Sequence, residues 1–340
     1  MMFLLAGMPT AAASRTVSGW NWLERRPWAF TLLLIFLVSL VVGWINPAFF
    51  QLSNLFDIIR GSVVQGLFAL GVLVVLAAGS IDVSFTAIAA LSMYTITSAV
   101  LAFAPGLPIA PIFLAGATAG ILLGAVNGVL VLSLKVPSLI VTIGTQYFYR
   151  GLLLTFVGTA LIANVPASME IFGKSELINF QPGHGMRAAL PTFVLVLGVA
   201  AVLTWWLLNR TLLGRATYAM GGGMGIAERL GYNVHTTQVF VFSYAGLLAG
   251  VAGIVHVSGN RLANPFDLVG SELDVIAAVI LGGARITGGS GTVTGTLLGV
   301  ALVTLVNNVL ILAGVPNTFQ KVVVGAFILL GGAFFVVRRS

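Results

Sequence analysis

Long apolar runs separated by short polar breaks dominate the chain. A helix needs about 20 apolar residues to cross the hydrocarbon core of a bilayer, because each residue rises only 1.5 Å. By this criterion the pattern predicts an all-α, polytopic membrane protein with about ten membrane segments. The predicted segments are 28–46, 62–79, 83–104, 109–134, 139–160, 191–208, 239–259, 272–283, 292–313 and 318–337.

Two stretches depart from a simple succession of spans. Residues 272–283 are too few to cross as a complete helix and end in two glycines, which predicts a broken or half helix of the kind that lines transporter cavities. Residues 49–60 carry apolar side chains at helical spacing, with Asp57 and Arg60 on the other face. This pattern predicts a helix that lies in the membrane interface and does not span.

The positions of Lys and Arg predict the orientation, because cytoplasmic loops carry an excess of both. Both termini are expected in the cytoplasm, with residues 1–27 as a tail and 28–340 as one transmembrane domain. The two long polar breaks then lie on opposite sides: 161–190 is periplasmic and 209–238 is cytoplasmic. The basic residues expected near the external side are Arg60, Lys174, Arg187, Arg261 and Lys321.

Composition agrees with a membrane protein, since 59% of the residues are hydrophobic and 7% are charged. A soluble domain carries about 25% charged residues, so soluble classes of protein are excluded. The net charge of +7 is explained by the basic ends of the apolar runs, and it does not indicate a nucleic-acid partner. The absence of cysteine excludes a disulfide framework and a thiolate nucleophile.

A weak internal repeat is present in the glycine-rich spans. Under the predicted topology its two copies run in opposite directions, which favours an inverted repeat. The alternative is similarity by composition alone, since small residues at four-residue spacing also serve close helix packing. The corresponding positions are Gly120, Gly124, Asn127 and Pro137 in one copy and Gly295, Gly299, Asn307 and Pro316 in the other.

The chain offers little for enzyme chemistry. The histidines, His184, His235 and His256, lie far apart and lack ligand partners at helical spacing, so no metal site is predicted. Residues 172–175 resemble the end of a phosphate-binding loop, but its first glycine would fall at Ser168. No catalytic residue and no cofactor are therefore predicted.

Polar residues within spans are costly in a bilayer and are candidates for function. Asp82 lies in a Gly-Ser-Ile-Asp-Val-Ser turn and either caps a helix or faces a pathway. Glu272 and Asp274 open the predicted half helix, where carboxylates favour the helix N-terminus. Residues that either line a hydrophilic route or bond helix to helix are Asn127, Gln146, Asn307 and Asn308.

The polar break 209–238 has its centre in the sequence GRATYAMGGGMGIAERLGYNV, which begins at Gly214. Local rules predict a hinge at 221–223, a short helix over 224–230 and Gly231 as its C-terminal cap, with Arg229 in the last turn. A helix of about two turns is marginal in water, so it is expected to need a partner. An ordinary basic loop is the alternative.

Four motifs resemble the permease subunits of ribose-type ABC sugar importers. They are the turn around Asp82, the stretch GAVNGVLVLSLKVPSLIVTIGT, the break 209–238, and ELDVIAAVILGGARITGGSGTVTGTLLG. Phe85-Thr86 and Ser80 stand where the family usually has glycine, and Gly223 where it has Asn. The resemblance implies that the break 209–238 is a coupling segment, carried by Gly214, Arg215, Tyr218, Gly221, Gly222, Glu228, Arg229 and Gly231, although Glu228 and Arg229 depart from the family pattern.

The resemblance further implies the partners. These are an ATP-binding cassette subunit that hydrolyses ATP, a second permease subunit, identical or paralogous, and a periplasmic solute-binding protein. The expected function is import of a sugar or similar small polar solute across the bacterial inner membrane. The alternatives are a nucleoside or branched-chain amino-acid permease, and a passive channel or secondary carrier. A carrier would need intramembrane charge, for which Asp82 and Arg150 are the candidates.

Overall fold

The computed structural model describes residues 27–180 and 187–312, with residues 314, 319, 322, 325 and 326. Helices make up most of it, as the apolar runs predict. A 3₁₀ turn, Pro47–Phe50, precedes α2, and a π-helical turn, Leu153–Val157, extends α5. The helices are α1 (Pro27–Ile45), α2 (Leu52–Ala77), α3 (Phe85–Phe103), α4 (Ile109–Leu134), α5 (Ser138–Leu152), α6 (Ala167–Lys174), α7 (Val194–Arg210), α8 (Leu212–Gly222), α9 (Met224–Arg229), α10 (Val234–Asn260), α11 (Glu272–Leu281) and α12 (Val293–Leu312).

Within the described residues, 6 helices are long and apolar enough to cross a membrane, namely α1, α2, α3, α4, α10 and α12. A further span arises if α7 and α8, bent by 72°, are taken together. The helical membrane fold is confirmed, whereas the predicted total of ten segments is not. The predicted segments 139–160 and 272–283 fold as shorter helices, and most of 318–337 lies outside the described residues.

Helix α2 corrects one prediction. A single helix of 26 residues runs from Leu52 to Ala77, so the separate interfacial helix over 49–60 is wrong. The helical spacing continues through Gly61 into the apolar run, and nothing in the sequence stops it. Asp57 and Arg60 lie exposed near its start and pair at 3.2 Å.

The polar break 161–190 contains α6 and an antiparallel hairpin of β1 (Glu176–Phe180) and β2 (Ala188–Pro191). Glu176 pairs with Pro191 and Phe180 with Ala188. Pro191 therefore ends a strand, and the predicted start of a span at this residue is wrong. Helix α7 begins at Val194, after the proline that cannot donate a backbone hydrogen bond.

Helix α2 forms the centre of the core, because every residue from Gly66 to Ala77 is buried. Helix α10 packs against it and lies closest to α4. A Cβ atom on Gly120 would lie 2.0 Å from the Gly246 carbonyl oxygen, and one on Gly124 would lie 2.2 Å from that of Phe242. Only glycine permits this antiparallel approach, which confirms the packing role predicted for the small residues.

The second glycine pair behaves in the same way. A Cβ atom on Gly299 would lie 1.9 Å from the Ala278 carbonyl oxygen, so α12 packs tightly on the half helix α11. Pro316 and the final span of the second repeat copy lie outside the described residues. The inverted repeat, the single-domain organisation and the orientation in the membrane stay predictions.

Candidate functional site

The predicted coupling segment begins at the sharp bend between α7 and α8. Thr211 ends α7, and its hydroxyl oxygen accepts a hydrogen bond from the Gly214 N–H at 3.1 Å, which caps α8. A Cβ atom on Gly214 would lie 2.3 Å from the Leu207 carbonyl oxygen. The bend therefore requires glycine at this position.

The hinge predicted at 221–223 is narrower than the sequence indicates. Gly221 and Gly222 are the last residues of α8, and the break falls at Gly223, whose φ is +145°. This φ explains why a residue without a Cβ atom stands there.

The short helix and its cap are confirmed. Helix α9 spans Met224–Arg229, and Gly231 follows with a φ of +83°. The Tyr232 N–H donates to the Ala227 carbonyl at 3.0 Å, and the Gly231 N–H donates to the Glu228 carbonyl at 2.9 Å. These two bonds form a Schellman motif, which satisfies the last carbonyl groups of the helix.

Helix α9 presents apolar side chains to the outside although it does not span. Met224, Ile226 and Leu230 are 54%, 55% and 64% exposed, whereas Ala227 is fully buried against the bundle. A six-residue helix gains too little from backbone bonding to hold itself together in water. Its exposed apolar face is suited to contact with a partner protein.

The predicted coupling segment packs against the end of α2 and against the glycine-rich loop before α12, largely through backbone atoms. The Gly289 N–H donates to the Ala77 carbonyl at 3.0 Å, and a Cβ atom on Gly221 would lie 2.0 Å from the same carbonyl oxygen. The Tyr218 hydroxyl donates to the Gly291 carbonyl at 2.8 Å. The end of α8 is thus fixed to the end of α2 and to the glycine-rich loop before α12.

That glycine-rich loop is packed against the turn that follows α2 and is not free to hinge on its own. Gly288 has a φ of +90° and a Cβ atom on it would lie 2.7 Å from the Gly79 Cα atom. The loop connects directly to α11, which fits the predicted half helix. The predicted coupling segment is therefore connected to α11 through the contacts of this loop.

Glu272, the first residue of α11, joins three parts of the bundle. It is 8% exposed, and its carboxylate accepts hydrogen bonds from Gln146 Nε2 of α5 at 2.7 Å and from the Thr86 hydroxyl of α3. The second carboxylate oxygen accepts the Gly270 N–H at 2.9 Å. A carboxylate with three donors at a helix N-terminus is well satisfied despite its burial.

Asp82 and Asn127 belong to a separate, fully buried network. The Asp82 carboxylate accepts the Ser84 N–H at 2.7 Å and the Ser84 hydroxyl at 2.6 Å, while Ser84 itself is the N-cap residue of α3, so the capping role of Asp82 stays a prediction. The Asn127 amide donates to the Ser84 oxygen at 2.6 Å, and the Tyr149 hydroxyl donates to Asn127 Oδ1 at 3.2 Å. These contacts tie α3, α4 and α5 together, as helix-to-helix bonding requires.

The remaining pathway candidates are not brought to either network. Asn307 and Asn308 lie half-buried on α12, and within the described part of the chain no hydrogen bond joins them to Asp82, Asn127 or Gln146. Of the predicted coupling residues, Gly214 is buried and Tyr218 and Gly221 are half-buried. The exposed ones are Arg215, Gly222, Glu228, Arg229 and Gly231. The roles of all these residues stay predictions.

Sequence reasoning missed what Glu272 and Thr86 do together. From the sequence, the position of Glu272 is explained by the helix N-terminus alone, and Thr86 is noted only as a departure from the family's glycine. They lie 186 positions apart, so no local spacing links them. Over residues 27–180 and 187–312, no three His, Cys, Asp or Glu side chains converge in a way that suits a metal ion.

Comparison with known proteins gives a consistent result. Residues 54–331 match the family described as branched-chain amino acid transport system / permease component. The ribose import permease protein of Escherichia coli (strain K12) is 33% identical over 323 residues, covering 93% of this chain and 97% of that protein. No solved structure matches.

Other relatives resemble the chain to a similar degree. The ribose import permease protein of Bacillus subtilis (strain 168) is 35% identical and covers 87% of this chain and 88% of that protein. The autoinducer 2 import system permease protein of Yersinia pestis (strain Pestoides F) is 32% identical, covering 89% of this chain and 83% of that protein. The similarity therefore extends along almost the whole chain.

Proposed function

The chain belongs to the permease family of branched-chain amino acid transport systems, and we propose that it is the membrane subunit of an ATP-driven importer of a sugar. The observation that carries this proposal is 33% identity to a ribose import permease over 93% of the chain. It is a transport subunit of a bacterial inner membrane and not an enzyme.

The relatives favour one class of candidate solute. The family description names branched-chain amino acids, but the relatives that match from end to end import ribose or autoinducer 2. Both kinds of relative are named as import permeases, and ribose is a sugar. A small polyhydroxylated solute is therefore favoured over an amino acid or a nucleoside, and the ligand held by the solute-binding partner distinguishes these alternatives.

The energy for import comes from a separate ATP-binding cassette subunit. The exposed apolar face of α9 and the exposed charges of Glu228 and Arg229 form the surface that docks onto this subunit on the cytoplasmic side. The cap at Gly231 holds the short helix in shape while it is displaced. Because Ala227 is buried, a movement of α9 is passed to the bundle and not absorbed locally.

The contacts of the described residues give a continuous mechanical route from α9 to α5. Helix α8 bears on the glycine-rich loop through Gly221 and Tyr218, the loop leads into α11, and Glu272 holds Gln146. The contacts are backbone packed on backbone at Gly221, a hydroxyl hydrogen bond to a backbone carbonyl at Tyr218, and a hydrogen-bonded carboxylate at Glu272. Such joints have little freedom to stretch, so closure of the ATP-binding subunits shifts α5.

Helix α5 is the proposed lining of the solute pathway. Gln146 and Arg150 lie half-buried on it, four residues apart, and a polar group in a span is costly when it faces lipid. Tyr147 and Phe148, on the same helix, are exposed. This surface suits a second permease subunit that encloses a shared, water-filled route with this one.

Reconstitution tests the proposal directly. The chain is assembled with its ATP-binding subunit in proteoliposomes, its solute-binding protein is added on the external side, and uptake of radiolabelled ribose is followed. Uptake is expected only with ATP and with both partners, and the purified chain alone is expected to hydrolyse no ATP. Uptake without ATP would establish a channel or carrier instead.

A further inference from the structure

Four of the five external basic residues of the predicted topology gather at one place, and the fifth, Lys321, lies outside the described residues. Arg60, Lys174, Arg187 and Arg261 all line a single cavity of about 380 Å³, although they come from α2, α6, β2 with its preceding loop, and the end of α10. External segments of membrane proteins are depleted of Lys and Arg. Four exceptions that share one cavity, called here the basic cavity, indicate a use for their charge.

The basic cavity lies at the end of the bundle opposite the coupling segment. Helix α10 starts at Val234, directly after α9, and its 27 residues reach about 40 Å before Gly259 and Arg261 line the cavity. If α9 meets the ATP-binding subunit in the cytoplasm, this cavity opens to the external side. A partner that docks there is a periplasmic one.

Most of the charge in the basic cavity is held in weak, exchangeable pairs. The three paired cations are each more than half exposed, and exposed ion pairs contribute only about 0–1 kcal/mol. An incoming carboxylate therefore displaces an internal partner at little cost. The pairs are Arg60 with Asp57, Lys174 with Glu170 and Arg187 with Glu176.

Arg261 supplies the excess positive charge. It is exposed, and its side chain makes no hydrogen bond or ion pair with any described residue. Its backbone N–H donates to the Val257 carbonyl, which fixes its position at the end of α10. The pKa of Glu170 is lowered mainly by the hydrogen bond from Lys174, then by the charge of Lys174, and least by the charge of Arg261, which therefore lies near this carboxylate.

We propose that the basic cavity receives an acidic side chain of the docked solute-binding protein, with Arg261 as its principal contact. The four cations exceed their three internal carboxylates by a single charge, which a carboxylate neutralises. Glu176 within the lining disfavours a dianionic ligand such as free phosphate. Complementary charge of this kind steers docking and fixes orientation. The identity of the partner rests on the function proposed above.

Binding measurements test this assignment. The full transporter is placed in nanodiscs of phosphatidylcholine, and the Kd of its purified solute-binding protein is measured at low and high salt. Arg261→Glu with Lys174→Glu is expected to raise Kd about tenfold or more and to flatten its salt dependence. Lys135→Glu is the matched control, since Lys135 is exposed at the far end of α4, and its Kd is expected to stay unchanged.

A charge swap gives the strongest confirmation. Acidic residues on the docking face of the solute-binding protein are replaced by Lys one at a time. One of these replacements should restore binding to the permease that carries Arg261→Glu and Lys174→Glu. Arg261→Gln, which removes charge with less disturbance, should show a smaller loss in the same direction. Monodisperse elution of each variant checks that it has folded.

Two results would overturn the assignment. One is an unchanged Kd for the double reversal. The other is a Kd that responds to the charge reversals only in parallel nanodiscs that contain phosphatidylglycerol, which would assign the cavity to a lipid phosphate. Neither result affects the proposed function, which stands as long as the wild-type complex imports solute. Failure of the wild-type complex to take up solute would instead reject the proposed function.

Discussion

The Gln146 side-chain amide donates a hydrogen bond of 2.7 Å to the Glu272 carboxylate, joining residues that lie 126 positions apart. Glu272 opens the half helix α11, and Gln146 stands on α5. This contact links α11, whose C-terminal loop packs on α8 of the predicted coupling segment, to the helix proposed to line the pathway. It also explains why a carboxylate can be kept inside a membrane bundle.

Removing the Glu272 carboxylate should destabilise the bundle. Glu272→Ala leaves the donors of Gln146, Thr86 and Gly270 without their acceptor, which should cost about 1–3 kcal/mol. Thermal unfolding of the purified protein in detergent measures the effect. Glu272→Gln keeps the shape and part of the bonding, so it should unfold closer to wild type. Equal melting temperatures for wild type and Glu272→Ala would show that this joint does not hold the helices.

The apolar face of α9 should matter for assembly and not for folding. Ile226→Asp places a charge on an exposed side chain, so its effect on stability should stay within about 0.5 kcal/mol. Co-purification of the ATP-binding subunit should fall strongly. Leu177→Asp, at an exposed apolar position on β1 in the opposite part of the molecule, is the control and should leave co-purification intact. Full co-purification with Ile226→Asp would rule out α9 as the docking surface.

The two glycines that end α8 should respond differently to alanine. A Cβ atom on Gly221 would lie 2.0 Å from the Ala77 carbonyl oxygen and 2.3 Å from the Gly289 nitrogen, whereas one on Gly222 meets nothing within 4 Å. Gly221→Ala should therefore lower the free energy of unfolding by about 1–3 kcal/mol, and Gly222→Ala should leave it nearly unchanged. Thermal unfolding and solute uptake of the matched pair are the measurements. Equal stability and equal uptake of the two variants would contradict the close packing of Gly221 on Ala77 and Gly289.

The α4–α10 seam provides a parallel test of packing. Gly120→Ala would set a Cβ atom 2.0 Å from the Gly246 carbonyl oxygen and force the two helices apart. A loss of about 2 kcal/mol or more in unfolding free energy is expected. Gly198→Ala, in open space on α7, should be neutral or slightly stabilising because alanine favours helices. A Gly120→Ala variant as stable as wild type would contradict the close contact between α4 and α10.

The parts of the candidate site that depend on neighbouring residues could be predicted from the sequence. The helix at Met224–Arg229 and the cap at Gly231 were predicted closely, since caps depend on residues within one turn. The short helix α11 was also predicted, because residues 272–283 are too few to cross a bilayer as a complete helix. Local rules failed at Gly221, which serves tertiary packing and not a turn, and at Gly222, which ends α8 without such a contact.

The boundaries of the longer segments show the same limit. The sequence divides residues 49–79 at Gly61, yet α2 runs through it, because a single glycine lowers helix propensity by only about 1 kcal/mol and burial of the following residues exceeds this cost. Hairpin β1–β2 was not predicted, since two short strands pair through backbone contacts that leave a weak pattern in the side chains.

The sequence by itself determined that this chain is a helical membrane protein of the permease family, because hydrophobic length and motif spacing are properties of neighbouring residues. Only the tertiary structure decided which polar groups act together. Glu272 with Thr86 and Gln146, Asp82 with Ser84 and Asn127, and the four cations of the basic cavity come from segments far apart in the chain. Their association depends on how helices cross, and crossing is set by the close backbone approach that glycine permits.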